Sequence, residues 1–349
     1  MTAMPAPAVD EAALLERLRP FLGEARPELS GLESVQRLGG GLSCLTYALG
    51  GAGWEAILRR PPGGPQRSRA HNFRREFRIL ERMWGSTPIP VPRPLLLCED
   101  GAVIGAPFYV MERVHGLVLG PDTPDATRAR LDGAHVGALL VDVLADLSRV
   151  PPDVVASSRS EGGYLERQMD LFRTLWSTNR TRDIPEVEAL CAWLDEHRPT
   201  TQRLSAVHGD FKIDNVMFAP EDPPRIAAVL DWELAAAGDP LVDLGWLLFF
   251  LTRDDRDEVE LGEHAIRAGG AFPGRAALAE RYADRTGLRI DDLIWYMALS
   301  GFKLAAIMEG SYRRYLEGDR DQPRFALLEH AVVHWARRGL RAARGELPM

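Results

Sequence analysis

An α+β chain of two lobes, strand-rich first and helix-rich second, is what these 349 residues predict. Short apolar segments parted by glycines and prolines fill residues 35–110, the pattern of an antiparallel meander. From Asp125 onward apolar positions recur at helical spacing. Two short strands, 216–218 and 226–230, interrupt the helical half where polar residues gather. The expected lobes are residues 1–111, of which 1–9 are expected to be disordered, and residues 112–349.

Glu11 to Leu22 carries Leu14, Leu15, Leu18, Phe21 and Leu22, a helix with one buried face. Val35–Leu38, Cys44–Leu49 and Trp54–Arg59 are the first three strands. His71–Trp84 is an amphipathic helix with Phe73, Phe77, Leu80 and Trp84 on one side and arginines off it. Pro88, Pro90, Pro92 and Pro94 end it, and the strands Leu95–Cys98 and Phe108–Val110 follow. The expected long helices of the second half are Ala126–Leu147, Tyr164–Trp176, Pro185–His197, Leu293–Glu309 and Pro323–Arg341.

The bulk numbers exclude some classes of function. A net charge of −8 with no dense basic run argues against nucleic acid as a partner. Cys44, Cys98 and Cys191 are odd in number and form no CxxC pair, so neither a disulfide framework nor a zinc site is expected. The longest apolar run, Leu244–Leu251, is far below the roughly 20 residues that span a bilayer. With no signal peptide visible at Met1–Val9, a cytoplasmic protein with no membrane partner is expected.

The chemistry concentrates at His208-Gly209-Asp210-Phe211-Lys212-Ile213-Asp214-Asn215 and at Asp231, which follows the apolar run Ile226–Leu230. An aspartate followed five positions later by an asparagine is the spacing of a kinase catalytic loop. Asp210 is the candidate base for a hydroxyl group. Asn215 and Asp231 offer magnesium two hard oxygen ligands, the rest coming from phosphates and water. A helix N-cap is the alternative for Asp231, and a solvated side chain the alternative to a supporting role for Glu233. His208 is a base or a scaffold for the loop; the scaffold is favoured because Asp210 already covers the proton. Asp239, before Pro240, reads as a helix N-cap, and Asp243 as a brace for the catalytic loop.

The first lobe offers a nucleotide site. Gly39, Gly40, Gly41 and Ser43 form either a plain hairpin turn or a loop whose N–H groups cover phosphate; Gly40, Gly41 and Ser43 are its candidate contacts. Arg59 stands where a kinase strand carries its nucleotide lysine, with Arg60 as the register alternative on the opposite face. Glu76 is placed to pair with that arginine. Glu112 and Val114, past Met111, would offer backbone groups to an adenine edge.

These residues resemble the aminoglycoside phosphotransferase family, within the protein-kinase-like superfold, from about Leu38 to about Phe250. Leu58-Arg59-Arg60-Pro61-Pro62 and Leu230-Asp231-Trp232-Glu233 resemble more closely the kinase domain fused to certain acyl-CoA dehydrogenases. The resemblance implies a two-lobed fold with ATP and magnesium between the lobes. It implies Asp210 as base, Asn215 and Asp231 as metal ligands, and a small-molecule hydroxyl as acceptor, with a hydroxyacyl-CoA among the candidates. The alternatives are an aminoglycoside- or choline-type kinase and a nucleotide-binding pseudokinase. Arg59 in place of lysine points to the last. The acidic cluster Asp254–Glu258 would serve a cationic acceptor, and Arg159, Arg167 and Arg180 an anionic one. Trp232-Glu233 in place of Phe-Gly, with no Ala-Pro-Glu downstream, counts against a protein kinase with an activation loop.

Overall fold

A computed structural model describes residues 10–39, 44–61, 67–120, 123–124, 127, 131–156, 163–250, 272–319 and 322–347. The chain divides into two compact units, Met1–Gly116 with Ala227–Glu233, and Leu117–Ile226 with Leu234–Met349.

The first unit is built on a five-stranded antiparallel sheet in the order β1-β2-β3-β5-β4. Its strands are β1 (Leu32–Leu38), β2 (Leu45–Gly51), β3 (Trp54–Arg60), β4 (Pro94–Cys98) and β5 (Phe108–Glu112). Side chains alternate across it. One face carries Val35, Tyr47, Leu58 and Val110, which form a core with Leu14, Leu18 and Leu22 of helix α1 (Glu11–Ala25). Those leucines are four residues apart and so lie on one stripe, and the Asp10 carboxylate caps the helix by accepting from the Ala12 N–H at 3.2 Å. The opposite face carries Tyr109, on which Phe73 and Phe77 of α2 (Arg67–Met83) pack at 5.8 Å between centroids. Alternation therefore separates the adjacent arginines of β3. Arg60 lies on the α1 side and donates to the Ile104 carbonyl at 3.1 Å, while Arg59 lies on the α2 side.

The second unit is mainly helical: α3 (Gly133–Leu147), α4 (Tyr164–Asn179), α5 (Pro185–Glu196), α6 (Leu241–Phe250), α7 (Arg275–Thr286), α8 (Leu293–Leu316) and α9 (Leu328–Ala343). Helix α3 begins at Gly133, where the Asp132 carboxylate accepts from the Ala134 N–H at 3.0 Å and caps it; Ala126, the expected start, lies outside the described residues. The segment from Pro323 opens as a 3-10 turn and becomes α-helical only at Leu328. The unit also holds short strands: β6 (Leu117–Val118) pairs with β8 (Val216–Phe218), and β7 (Ser205–Val207) with β10 (Ala236–Gly238). Strand β9 (Ile226–Val229) leads from this unit into the first. Among the described residues no helix is long and apolar enough to cross a membrane.

Helices α8 and α9 cross glycine to glycine: a Cβ at Gly301 would stand 2.7 Å from Gly339 Cα and 3.0 Å from the Trp335 carbonyl oxygen. Backbone cannot retreat as a flexible side chain can. Gly301→Ala is therefore expected to lose about 2 kcal/mol by overpacking, read as a lower urea midpoint at unchanged slope.

Candidate active site

The segment 208–215 leaves β7 at His208, which is fully buried. Gly209 follows with φ +82, and a Cβ there would stand 2.6 Å from the Leu234 carbonyl oxygen, so both conformation and space demand glycine. Asp243, in the first turn of α6, holds the turn: its Oδ2 accepts from the His208 N–H at 2.6 Å and its Oδ1 from the Gly209 N–H at 2.8 Å. Burial pushes the Asp243 carboxyl up, and the facing His208 and the two amide donors oppose that shift. The brace expected of Asp243 is thus present. Gly209→Ala is expected to cost about 3 kcal/mol, since it forces both a left-handed alanine and a backbone clash; calorimetric melting of the purified variant measures it.

His208 Nδ1 accepts from the Asp210 N–H at 3.2 Å, which makes the imidazole a scaffold for the loop. The Asp210 carboxylate is held at both oxygens. Oδ1 accepts from Trp246 Nε1 at 3.0 Å, and Oδ2 from Asn215 Nδ2 at 3.1 Å. Asn215 Nδ2 also donates to the Asp210 carbonyl at 2.8 Å, which closes the loop through the 3-10 turn Ile213–Asn215. Two acceptors at one end fix the amide's orientation and turn its Oδ1 away from them. Lys212 Nζ lies 3.4 Å from Asp214 and 3.9 Å from Asp210, so Asp214 is a paired carboxylate rather than a bare surface one. Lys303 of α8 donates to the Gly209 carbonyl, and its ammonium stands 4.0 Å above the Trp246 ring. Burial lowers the Lys303 pKa, and the Asp210 and Asp243 carboxylates counter that.

Trp246, Lys303 and Lys212 were not singled out by the motif. Trp246 and Lys303 sit inside apolar helical runs that read as core; the one available signal is that a buried indole N–H requires an acceptor.

In the first unit Arg59 gathers the other group of residues. Its guanidinium pairs with Glu76, donates from Nη1 to Tyr109 Oη at 3.1 Å, and stands 3.5 Å from Asp231 Oδ1. Burial opposes the Arg59 charge, but Glu76 first, then Tyr109 and Asp231, outweigh it and raise its pKa well above the ordinary value. Of the two candidate arginines, then, only Arg59 meets Glu76. Asp231 has φ +65, the only positive φ at a non-glycine residue among those described. Asp231 stands directly before the 3-10 turn Trp232–Leu234. Trp232 anchors the bend, its Nε1 donating to the Val229 carbonyl at 3.0 Å, and Arg75 Nη1 donates to the Glu233 carbonyl at 3.1 Å. Cys44 is buried beside these charges, and burial pushes its thiol up to about 11.

At the end of β5 the Glu112 N–H donates to the Arg93 carbonyl at 2.8 Å. Val114 lies in the extended connector that follows. Gly40, Gly41 and Ser43, residues 1–9, Arg159 and the Asp254–Glu258 cluster lie outside the described residues. Asp239 is the N-cap expected of it: Oδ1 accepts from the Leu241 N–H at 3.0 Å, and Oδ2 from Tyr296 Oη at 2.8 Å.

Comparison with known proteins places this arrangement. The family model described as "Phosphotransferase enzyme family" matches residues 34–281. "Acyl-CoA dehydrogenase family member 11" of Rattus norvegicus is 33% identical over 344 residues, covering 97% of this chain and 43% of the relative. The chain spans less than half the length of the curated relatives it matches. A crystal structure from Ralstonia eutropha JMP134, provisionally described as an aminoglycoside phosphotransferase, is 28% identical, covers 95% of this chain and 98% of that one, and superposes with a TM-score of 0.77. The GDP and kanamycin complex of APH(2")-IIIa is 18% identical, covers 91% of this chain and 97% of that one, and shares the fold at a TM-score of 0.62.

Proposed function

The chain belongs to the phosphotransferase enzyme family, and on that ground we propose that it transfers the γ-phosphoryl group of ATP to a hydroxyl of a small molecule. The observation that carries this reading is the state of Asp210. Its carboxylate is tied at both oxygens, to Trp246 and to Asn215, yet each oxygen keeps a lone pair for a further donor. In the proposed step the acceptor hydroxyl gives its proton to Asp210 as its oxygen attacks the γ-phosphorus, and the bond to the leaving ADP oxygen breaks. Such a reaction asks a protein mainly for positioning and charge.

Arg59 supplies fixed charge for the phosphates, oriented by Glu76 and Tyr109. Asn215 and Asp231 are the proposed magnesium ligands. The Asn215 amide oxygen is left over from the loop's hydrogen bonds, and Asp231 keeps 31% of its side chain exposed. Magnesium takes few protein oxygens and keeps water and phosphate for the rest of its shell. When bound, magnesium offsets charge on the phosphate oxygens.

For the acceptor we propose a hydroxyacyl-CoA. The relative named an acyl-CoA dehydrogenase supports it, and so does the Lys303 ammonium at the base's own loop, which opposes a polycationic amino sugar or a choline-like amine. The test is ADP release from MgATP in the presence of a hydroxyacyl-CoA, kanamycin or choline in turn. Stimulation by the first alone is expected. Stimulation by either cation overturns the acceptor, and no release with any of them favours the pseudokinase.

A further inference from the structure

Beyond the residues that the catalytic-loop motif supplies, Asp210 depends on two side chains from distant helices. We infer that Trp246 is a positioning residue that fixes the carboxylate of Asp210, and that Lys303 strengthens its grip. The inference rests on the reading of Asp210 as the base.

The geometry is direct. Trp246 is 5% exposed, and its only hydrogen-bonding group, the indole N–H, ends on Asp210 Oδ1 at 3.0 Å. Phe250 packs edge-on against the indole at 4.8 Å between centroids, so the ring has little freedom to turn. With Asn215 on Oδ2, the two donors clamp the carboxylate about its own side-chain torsion. A carboxylate held by one donor alone can still rotate, and a base must meet its proton within about 3 Å.

Lys303 acts on the same unit in two ways. Its ammonium lies 4.0 Å above the Trp246 ring, where it draws electron density from the indole and makes the N–H a stronger donor. It also donates to the Gly209 carbonyl, the residue just before Asp210, and so ties the loop backbone to the helix below the indole. A lysine needed only for solubility would not lie against two aromatic rings, Trp246 and, at 6.0 Å, Phe172.

Side-chain variants and two readouts test this. Trp246→Phe keeps the ring and removes the N–H; Lys303→Met keeps the length and removes the charge; Lys303→Arg restores the charge. With MgATP and the acceptor that stimulates ADP release in the parent, Trp246→Phe is expected to lower kcat about tenfold with the nucleotide KM unchanged within about twofold. Lys303→Met is expected to lower kcat less, Lys303→Arg to restore most of it, and the two losses to combine to less than their product because both act through Asp210. The second readout needs no turnover. In the nitrogen-15 spectrum of the indoles, Trp246→Phe identifies the Trp246 peak, which is expected to move upfield in Asp210→Ala while the other indole peaks stay in place. A Trp246 peak that ignores Asp210→Ala overturns the inference whatever the kinetics. A kcat for Trp246→Phe within twofold of the parent overturns it too. Absence of ADP release from the parent with every acceptor tried instead rejects the proposed function, and the indole peak alone then decides whether Trp246 holds Asp210.

Discussion

Asp210→Asn is expected to cut turnover by about a thousandfold, roughly 4 kcal/mol of barrier, while nucleotide affinity changes by less than about twofold. An amide cannot take the acceptor's proton, but it occupies the same space. It also leaves one of the loop's two donors poorly matched. If its oxygen faces Trp246, its NH2 meets the Asn215 NH2; if it flips, the NH2 meets the indole N–H. The fold should lose only about 1 kcal/mol to that mismatch. ADP release with acceptor, set beside nucleotide binding by calorimetry, separates the chemical effect from the structural one. Turnover above a tenth of the parent would remove Asp210 from the role of base.

The second large effect concerns Arg59 and Glu76, whose side chains are 11% and 3% exposed. Glu76→Ala leaves a buried guanidinium with Tyr109 and the partly exposed Asp231, and is expected to destabilise the first unit by about 3 kcal/mol. Removing both charges at once, as Arg59→Met with Glu76→Leu, should restore much of that stability, since two apolar chains of similar volume carry no desolvation cost. It should not restore turnover, which needs the guanidinium at the phosphates. Urea midpoints and ADP release on the two variants check the pair of outcomes. A double variant that turns over normally shows that Arg59 does not touch nucleotide.

Much of this was legible in the residues because it is local. The spacing of Leu14, Leu18 and Leu22 gives α1, and Asp210 with Asn215 closes a loop through contacts a few residues apart. The choice between Arg59 and Arg60 was open in the sequence, since both suit the end of a strand; Glu76 and Ile104, on opposite faces, decide it. Strand β10 runs Ala-Ala-Gly and carries no strand signal, and it forms because β7 offers it a ladder. Trp246 was hidden for a different reason. A tryptophan in an apolar helix reads as core, and nothing in the run Leu244–Phe250 says that its one polar atom ends on a carboxylate. Asp231 likewise gave away its carboxylate but not its left-handed backbone, which its neighbours impose.

The seven residues Ala227–Glu233 belong to the first unit although the chain on either side of them belongs to the second. Among the ties that hold them there are Val229 N–H to the Pro90 carbonyl at 2.8 Å, Arg75 to the Glu233 carbonyl, and Arg59 to Asp231, partners separated by 172 positions in the last case. During synthesis, then, the sheet of the first unit emerges long before the piece that completes it. It must wait, with Arg59 lacking its contact to Asp231, until most of the second unit has left the ribosome. A fragment cut at Gly116 inherits that unfinished state permanently, whereas the same fragment with the 227–233 peptide supplied on a short linker would not. Closing so long a loop costs only slowly more entropy with length, so the arrangement delays completion without weakening the finished molecule. It also couples the two units' fates: neither can be deleted, swapped or circularly permuted as a single uninterrupted stretch of gene.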